Sequence, residues 1–330
     1  MKLNLIVAYI GIALSFMSFA NHGSDHISTA EPEPFFSLAE INHAAKKSLA
    51  AIEQISATDG IGLAYRAYRP PQPQAVLIFY HGAGAHSGLS YNHIGVDLSG
   101  DFAIAVYMPD IRGHGASAGD RGDSPSVEQV WADTKTMVEL ARQQHPNLPI
   151  FMGGHSAGAG LALNYSSWDQ RAEVDGYVFL APYFGFRSET DHDNNANNGF
   201  EFSTVKTSRF IINAISGGLL LGHSKAVMFN FPDAVLQDHP EIVPFNTVNM
   251  SKAVTPHAPD AQLAKISPFG LWIGQQDEAF DPVKVTLFAQ QHSGKKANKV
   301  IKTVESENHF SIILAAADLI GPWIKSINER

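Results

Sequence analysis

A serine between two glycines has the setting that best suits covalent chemistry in this chain. The sequence GHSAG at residues 154–158 directly follows a short apolar run and directly precedes a stretch of small residues. G-x-S-x-G alone is a weak pattern, but on a sharp turn from a strand to a helix it exposes the serine hydroxyl as a nucleophile. The helix N-terminus then points backbone N–H groups at the developing negative charge. We therefore predict that Ser156 is a nucleophile.

A glycine-rich loop is the second feature with a chemical use. The sequence HGAGAHSG at residues 81–88 comes just after an apolar run that ends at Tyr80. A tetrahedral intermediate needs two hydrogen-bond donors for its oxyanion. We assign these donors to the backbone N–H of Ala157, which follows the serine, and to that of Ala83 in the loop. A plain tight turn is the alternative. A phosphate site is disfavoured, because the loop has no P-loop lysine and no GxGxxG spacing.

Strands that alternate with helices must position these groups. Each predicted strand is a continuous apolar run, as a strand buried on both faces should be. The sequence therefore predicts an α/β fold with a doubly wound, mostly parallel sheet, in one domain over residues 35–330. The predicted strands are 75–80, 102–108, 149–152, 177–181, 271–273 and 300–304, with an extended segment at 62–68 and a first helix at about 37–55.

One long segment interrupts the alternation. Residues 187–267 begin with the polar tract DHDNNANN and continue with many aromatic and aliphatic residues. An unstructured loop of that length is uncommon in a compact domain. We interpret the segment as a helical cap inserted between the sixth and seventh strands. The alternative is a helical excursion with no role at the active site.

The N-terminus differs from the rest of the chain. Residues 1–20 contain one charge, Lys2, then an apolar stretch, and they end in Ser-Phe-Ala. This pattern is typical of a secretory signal peptide cleaved after Ala20. We therefore expect an exported protein, periplasmic or secreted, with a flexible lead-in at residues 21–34. An uncleaved N-terminal membrane anchor is the alternative.

Composition excludes several classes of function. The net charge of −9 argues against a nucleic-acid partner, which would need a basic face. The absence of cysteine excludes disulfides and thiolate metal sites. We also predict no metal centre, because the histidines of the insertion, His223, His239 and His257, lack the HExxH and helical His-x-x-x-His spacings.

Three blocks give the chain a specific resemblance. The loop at 81–88, the sequence DIRGHG at 110–115 and the elbow at 149–158 resemble the monoacylglycerol lipase and lysophospholipase branch of the α/β-hydrolases in order and spacing. Two features depart from that family. The elbow continues Ala-Gly-Ala-Gly at 157–160, where the family has Met and then Gly-Gly, and the cap is longer and richer in asparagine.

A catalytic triad on this fold runs in the order serine, acid, histidine. Of the 15 histidines, His309 stands after the last predicted strand, where the family places its catalytic histidine. Asp277 matches the family's G-x-x-D position. Asp175 precedes its strand and so lies at the wrong end of the sheet, and Asp281 before a proline is typical of a helix cap. We expect the neighbouring Glu278 to point away from His309.

The resemblance implies a serine hydrolase of carboxylic esters that needs no cofactor. Monoacylglycerols or lysophospholipids are the implied substrates, with transient membrane contact through the cap. Phe200 and Phe210 in the cap are our candidates for binding the acyl chain. A peptidase or amidase with the same triad is one alternative, and acidic cap residues facing the site would favour it. A non-catalytic lipid-binding homologue is the other.

Overall fold

The apolar runs of the sequence form strands, and the segments between them form helices. The computed structural model describes Ile41 and residues 43–193, 202–294 and 298–329. The strands are β1 (Ile52–Ser56), β2 (Gly62–Tyr68), β3 (Ala75–Tyr80), β4 (Ile104–Pro109), β5 (Ile150–His155), β6 (Gly176–Leu180), β7 (Ser203–Val205), β8 (Lys225–Phe229), β9 (Phe245–Thr247), β10 (Phe269–Gly274) and β11 (Lys299–Val304). The helices are α1 (Asn92–Phe102), α2 (Val127–Gln144), α3 (Ala157–Tyr165), α4 (Thr207–Ile215), α5 (Asp233–Asp238), α6 (Val248–Val254), α7 (Pro259–Leu263), α8 (Pro282–His292) and α9 (Ile312–Asn328).

Eight of the strands form one sheet, in the order β1-β2-β4-β3-β5-β6-β10-β11. The pairs β1–β2 and β2–β4 are antiparallel, and the others are parallel. Every residue of β3, β4, β5, β6 and β10 is buried. Strands of a parallel sheet are apolar throughout when both faces are covered, which explains these runs. The predicted fold class is confirmed.

Two groups of helices cover the sheet. Helix α1 packs against α9, while α2 and α3 pack together through α6, and α7 joins α3 to α8. Ser126 begins α2 by accepting a hydrogen bond from the backbone N–H of Gln129, which satisfies a donor that the first helical turn leaves free. The loops that follow β3, β5, β10 and β11 leave the same edge of the sheet, which is where open α/β sheets bind ligands.

The insertion between β6 and β10 lies between the sixth and seventh strands of the sheet, as predicted, but it is not purely helical. Besides α4 to α7 it carries a second, antiparallel sheet in the order β7-β8-β9. Its last part also belongs to the main body, because Met250, Val254 and Leu263 of α6 and α7 are buried in the central core. A cap in the strict sense is therefore shorter than the predicted 187–267.

The predicted helix at 37–55 is wrong from Ala44 onward: residues 44–51 are not helical. Residues 52–56 form β1, which pairs antiparallel with β2 from Ile52 opposite Arg66 to Ser56 opposite Gly62. Pairing with a neighbouring strand overrides the weak helical spacing of this segment. The predicted signal peptide and lead-in lie outside the described residues. Among the described helices, none combines the length and the apolar character needed to cross a bilayer.

Candidate active site

Ser156 occupies a strained turn between β5 and α3. Its backbone angles are φ 53° and ψ −118°, which a residue other than glycine rarely adopts. The flanking glycines permit the turn. A Cβ on Gly154 would lie 2.6 Å from the Tyr80 carbonyl oxygen, and one on Gly158 would lie 2.4 Å from the same atom. The geometry is that of a nucleophile elbow, in which strain holds the serine hydroxyl away from the sheet.

His309 and Asp277 form a hydrogen-bonded pair at the same edge of the sheet. The Nδ1 atom of His309 lies 2.8 Å from Oδ2 of Asp277. The other carboxylate oxygen accepts the backbone N–H groups of Ala279, at 2.9 Å, and Phe280, at 2.8 Å. Both acid and histidine are buried. Because the carboxylate can only accept, Nδ1 carries a proton and Nε2 is the nitrogen available to a substrate or to Ser156.

Two of the three other candidate acids have the roles that the sequence predicts, and the third does not. Asp281 caps α8 through hydrogen bonds from the backbone N–H groups of Val283 and Lys284. Asp175 accepts the backbone N–H of Ile150 at the opposite edge of the sheet. The expectation that Glu278 points away from His309 is wrong. Its Oε2 accepts the backbone N–H of His309 at 2.9 Å, so adjacent acids converge on one residue through different atoms.

These contacts control the charge of the histidine. Burial by itself would lower the pKa of His309, but the charge and hydrogen bond of Asp277, together with the charge of Glu278, raise that pKa above its ordinary value of 6.5. Burial also raises the pKa of Glu278, although the hydrogen bond from the His309 N–H opposes it. Both neighbours therefore favour a positively charged ring, which is the form a general base takes after it accepts a proton.

The two predicted oxyanion donors flank the serine. Ala157 is the first residue of α3, so its N–H has no partner inside the helix. Ala83 lies in the loop after β3, and its N–H has no hydrogen-bond acceptor among the described residues. Both residues are near Ser156, since Ala83 and Ser156 line one cavity and Ala157 follows the serine. Two N–H groups without an acceptor among the described residues, beside the predicted nucleophile, suit an oxyanion.

A cavity of about 620 Å³, its open mouth included, lies above these groups. Ser156 and His309 line it, together with the loop residues Gly82 and Ala83. The cap contributes Phe202, Phe231, Val235 and Ile242, and the main domain adds aliphatic and aromatic residues that include Leu89, Phe310 and Ile313. Most of its described lining is apolar, which suits an uncharged ligand group. Among the lining residues that the structure describes, none is acidic.

Of the two cap residues named from sequence, one is described and does not line the cavity. Phe200 lies outside the described residues, and Phe210 on α4 is half-buried but is not part of the described lining. Phe202 and Phe231 of the cap do line the cavity. They pack with Phe229 in a cluster whose ring centroids lie 5.5 to 6.0 Å apart. An apolar run rich in phenylalanine gives no signal for which rings turn inward, because the pairing of β7 with β8 decides it.

The histidines of the insertion do not gather. His223 contacts Asp123, His239 contacts Glu241 and His257 contacts Asn164. Across the described residues, no group of three or more His, Asp or Glu side chains is arranged to hold a metal ion.

Comparison with known proteins shows the family to which this chain belongs. The family described as serine aminopeptidase, S33, matches residues 71–309. The chain belongs to this family of α/β-hydrolases. A monoacylglycerol lipase from Mycolicibacterium smegmatis is 33% identical over 109 residues, which are 33% of this chain and 38% of that protein. Human monoglyceride lipase is 31% identical over 125 residues, 38% of this chain and 40% of that protein.

The match to both relatives thus spans about two fifths of their length. A solved structure of monoglyceride lipase from Saccharomyces cerevisiae, in complex with a substrate analogue, superposes with a TM-score of 0.64. It shares 17% sequence identity, over 86% of this chain and 98% of that one, and so supports the fold. The resemblance to the monoacylglycerol lipase branch, drawn from three sequence blocks, is confirmed.

Proposed function

We propose that this family member is a serine hydrolase of carboxylic esters that carry one acyl chain, of the monoacylglycerol or lysophospholipid type. One observation carries the proposal: Ser156 and His309 lie in the wall of a cavity whose described lining is mostly apolar, as an acyl chain requires. Relatives named monoacylglycerol lipase and monoglyceride lipase support the same substrate class.

The reaction follows from the positions of the polar atoms. Ser156 Oγ attacks the ester carbonyl and its proton passes to His309 Nε2. Asp277 holds the protonated nitrogen Nδ1 and stabilises the imidazolium that forms. The tetrahedral intermediate collapses, the alcohol leaves with the proton from His309, and Ser156 carries the acyl group. Water then repeats the sequence, and releases the fatty acid and the free serine.

The N–H groups of Ala83 and Ala157 stabilise the oxyanion in both halves of the reaction. Each such donor is worth about 10² to 10³ in kcat in serine hydrolases where one was removed. Both donors are backbone groups. This chain has Ala157 where the related family has Met, so the difference changes a side chain and leaves the N–H donor intact.

An ester fits this cavity better than an aminopeptidase substrate does. A free N-terminal amine carries a positive charge, and its burial requires a paired anion. Among the described lining residues there is no carboxylate to pair with it. The nearby Glu241 contacts His86 and His239 instead. The family description therefore does not by itself favour peptide substrates for this chain.

Labelling with a fluorophosphonate probe tests the nucleophile. We expect the wild-type protein to react and Ser156→Ala to remain unlabelled with an unchanged melting temperature. Ser326→Ala is the matched control, because its hydroxyl bonds the Trp323 carbonyl in α9, and it should label fully. Hydrolysis of monoacylglycerols without cleavage of aminoacyl anilides supports an esterase. The reverse would indicate a peptidase, and a folded wild type that does not label would indicate a non-catalytic lipid binder.

The cap surface suits contact with a lipid membrane. Helix α4 and the loop after it expose a patch whose most accessible members are Ile215, at 82%, and Leu219, at 88%. Further exposed residues of the patch are Ile211, Ile212 and Leu220. An apolar patch of this kind marks an interaction site. Residues 202–232 contain three basic and no acidic residues in a chain of net charge −9, so the patch suits an anionic bilayer surface.

Co-sedimentation with vesicles tests this contact. The double substitution Ile215→Ser with Leu219→Ser should reduce binding to phosphatidylglycerol vesicles, while turnover of a soluble short-chain ester stays unchanged. The matched control is Val283→Ser with Leu287→Ser, which removes two exposed apolar side chains from α8. Equal binding by both double variants would exclude the α4 patch as the contact surface.

Export belongs to the same proposal. If residues 1–20 are a signal peptide, mass spectrometry of the exported protein should find an N-terminus at Asn21. An intact N-terminus on membrane-bound protein would instead support the anchor.

A further inference from the structure

A chain of hydrogen bonds links the oxyanion loop to the proposed catalytic histidine. The backbone N–H of Gly82 donates to the Tyr91 hydroxyl at 2.9 Å. The Tyr91 hydroxyl and His155 Nδ1 are 2.9 Å apart, and His155 Nε2 and the His309 carbonyl oxygen are 2.8 Å apart. Tyr91 and His155 are both buried. The chain thus runs from the residue before Ala83 to the residue that would act as the base.

The direction of each proton along this chain is determined. The His309 carbonyl can only accept, so His155 Nε2 carries the proton. Burial, and next the charge of His309, hold the pKa of His155 well below 6.5, so its ring is neutral and Nδ1 is an acceptor. The Tyr91 hydroxyl therefore accepts from Gly82 and donates to His155. Every donor has one acceptor, and bonds aligned in this way reinforce each other.

The contact at the loop is close. A Cβ on Gly82 would lie 3.2 Å from His155 Nδ1, 3.2 Å from the Tyr91 hydroxyl and 3.4 Å from Ser156 Cβ. The Gly82–Ala83 peptide carries the proposed donor of Ala83. Movement of Gly82 would therefore move that donor relative to the serine.

The same series of hydrogen bonds supplies the third hydrogen-bond partner of His309. Its N–H is bound by Glu278, its Nδ1 by Asp277 and its carbonyl by His155, at 2.9, 2.8 and 2.8 Å. The two rings also pack together, with centroids 4.7 Å apart. Only Nε2 of His309 is left to face the substrate. His155, the residue before the serine, is therefore hydrogen-bonded to His309 directly and to the oxyanion loop through Tyr91.

We propose that Tyr91 and His155 are positioning residues that set the distance between the oxyanion donors and the catalytic histidine. The proposal rests on the function proposed above, ester hydrolysis at Ser156. In the tetrahedral intermediate the oxyanion and the imidazolium form together, so both must be in place at the same moment. An error in their spacing weakens transition-state binding while leaving the binding of the acyl chain unchanged.

Tyr91→Phe tests the proposal in a wild-type background that has first been shown to hydrolyse esters. The variant removes one oxygen atom and leaves Gly82 and His155 without that partner. We expect kcat to fall by roughly 10- to 100-fold with KM within about twofold. The affinity for an alkyl boronic acid, which forms a tetrahedral adduct on the serine, should fall by the same factor as kcat/KM.

Tyr165→Phe is the matched control. Its hydroxyl is also buried and is hydrogen-bonded, at 2.7 Å to the N–H and at 3.2 Å to the carbonyl of Ala172, away from the cavity. It should lose stability but keep kcat and boronic acid affinity. If Tyr91→Phe keeps wild-type kcat and boronic acid affinity, the proposal is wrong, whereas an inactive wild type would refute the proposed function instead.

A second variant serves if Tyr91→Phe does not fold. His155→Gln keeps an amide donor near the His309 carbonyl and removes the acceptor of the Tyr91 hydroxyl. The same loss in kcat and in boronic acid affinity is expected, with KM again little changed. A folded His155→Gln with normal values of both would overturn the coupling.

Discussion

Replacement of Asp277 by asparagine should disable the base without disturbing the fold. One oxygen of Asp277 accepts two backbone N–H groups, and the other accepts His309 Nδ1. An asparagine keeps its oxygen on the two N–H groups, which need an acceptor, and so turns its amide nitrogen toward His309. Nδ1 must then become an acceptor and the proton moves to Nε2. That nitrogen can no longer take the proton of Ser156.

The size of the effect follows from this tautomer change. In a serine protease with the same triad, the equivalent aspartate-to-asparagine change leaves the geometry intact and lowers kcat by about 10⁴, which corresponds to about 5.5 kcal/mol. Here the acid is fully buried, and no solvent can replace the lost acceptor. We therefore expect a loss of the same order. The melting temperature should change little, because both backbone bonds to the acid survive.

Asp281→Asn is the matched control, since asparagine caps a helix about as well as aspartate does. Its carboxylate bonds only the first turn of α8, so kcat should stay near the wild-type value. The assay is kcat on a p-nitrophenyl ester at pH 8, with a thermal melt of each variant. A larger loss in Asp281→Asn, or a loss below tenfold in a folded Asp277→Asn, would refute the assignment of the acid.

Three further outcomes are expected. The acid limb of kcat/KM should lie above pH 6.5, because His309 must be neutral to accept a proton and its neighbours raise its pKa; a limb below pH 6 would contradict this. Burial lowers the pKa of His81 to about 4 and that of His114 to about 3. Below pH 6.5 the unfolded chain therefore binds protons that the folded protein does not. In urea titrations, the free energy of unfolding should fall by about 1.4 kcal/mol per histidine for each unit by which the pH is lowered from 6.5 to 4. Phe202→Ala should change the preference between long and short acyl esters while Phe210→Ala should not, and equal effects would mean that neither ring lines the acyl site.

The elbow and the sheet were predictable because local pattern and global packing agree there. An apolar run followed at once by GHSAG leaves few choices: the run is buried on both faces, and the glycines allow the approach that Ser156 needs. Asp281 was equally readable, since an acid before a proline suits the first turn of a helix. In each case the deciding interaction lies within a few residues along the chain.

The parts that were missed depend on residues far apart in sequence. Residues 52–56 form a strand because β2 pairs with them, although their own spacing allows a helix. Phe202 lies in the cavity wall because β7 pairs with β8, more than twenty residues later. Glu278 meets His309 because two loops converge at one edge of the sheet. No local sequence pattern indicates these contacts, so they could not be predicted from a single sequence.

Fifteen histidines raise the question of what makes one of them a base. Burial acts on His81, His114, His155 and His309 alike, and by itself it keeps each ring neutral. For the first three, burial prevails.

Asp110 lies near His81, but its oxygens are occupied by the backbone N–H groups of Ser87 and Ala116, at 2.6 and 2.8 Å. His309 alone among these four has a carboxylate bonded directly to its ring and a second one on its backbone. The placement of acids, rather than burial or the motif in which a histidine stands, therefore decides which ring can accept a proton at neutral pH. The residue that it selects, His309, lies in the same cavity wall as Ser156.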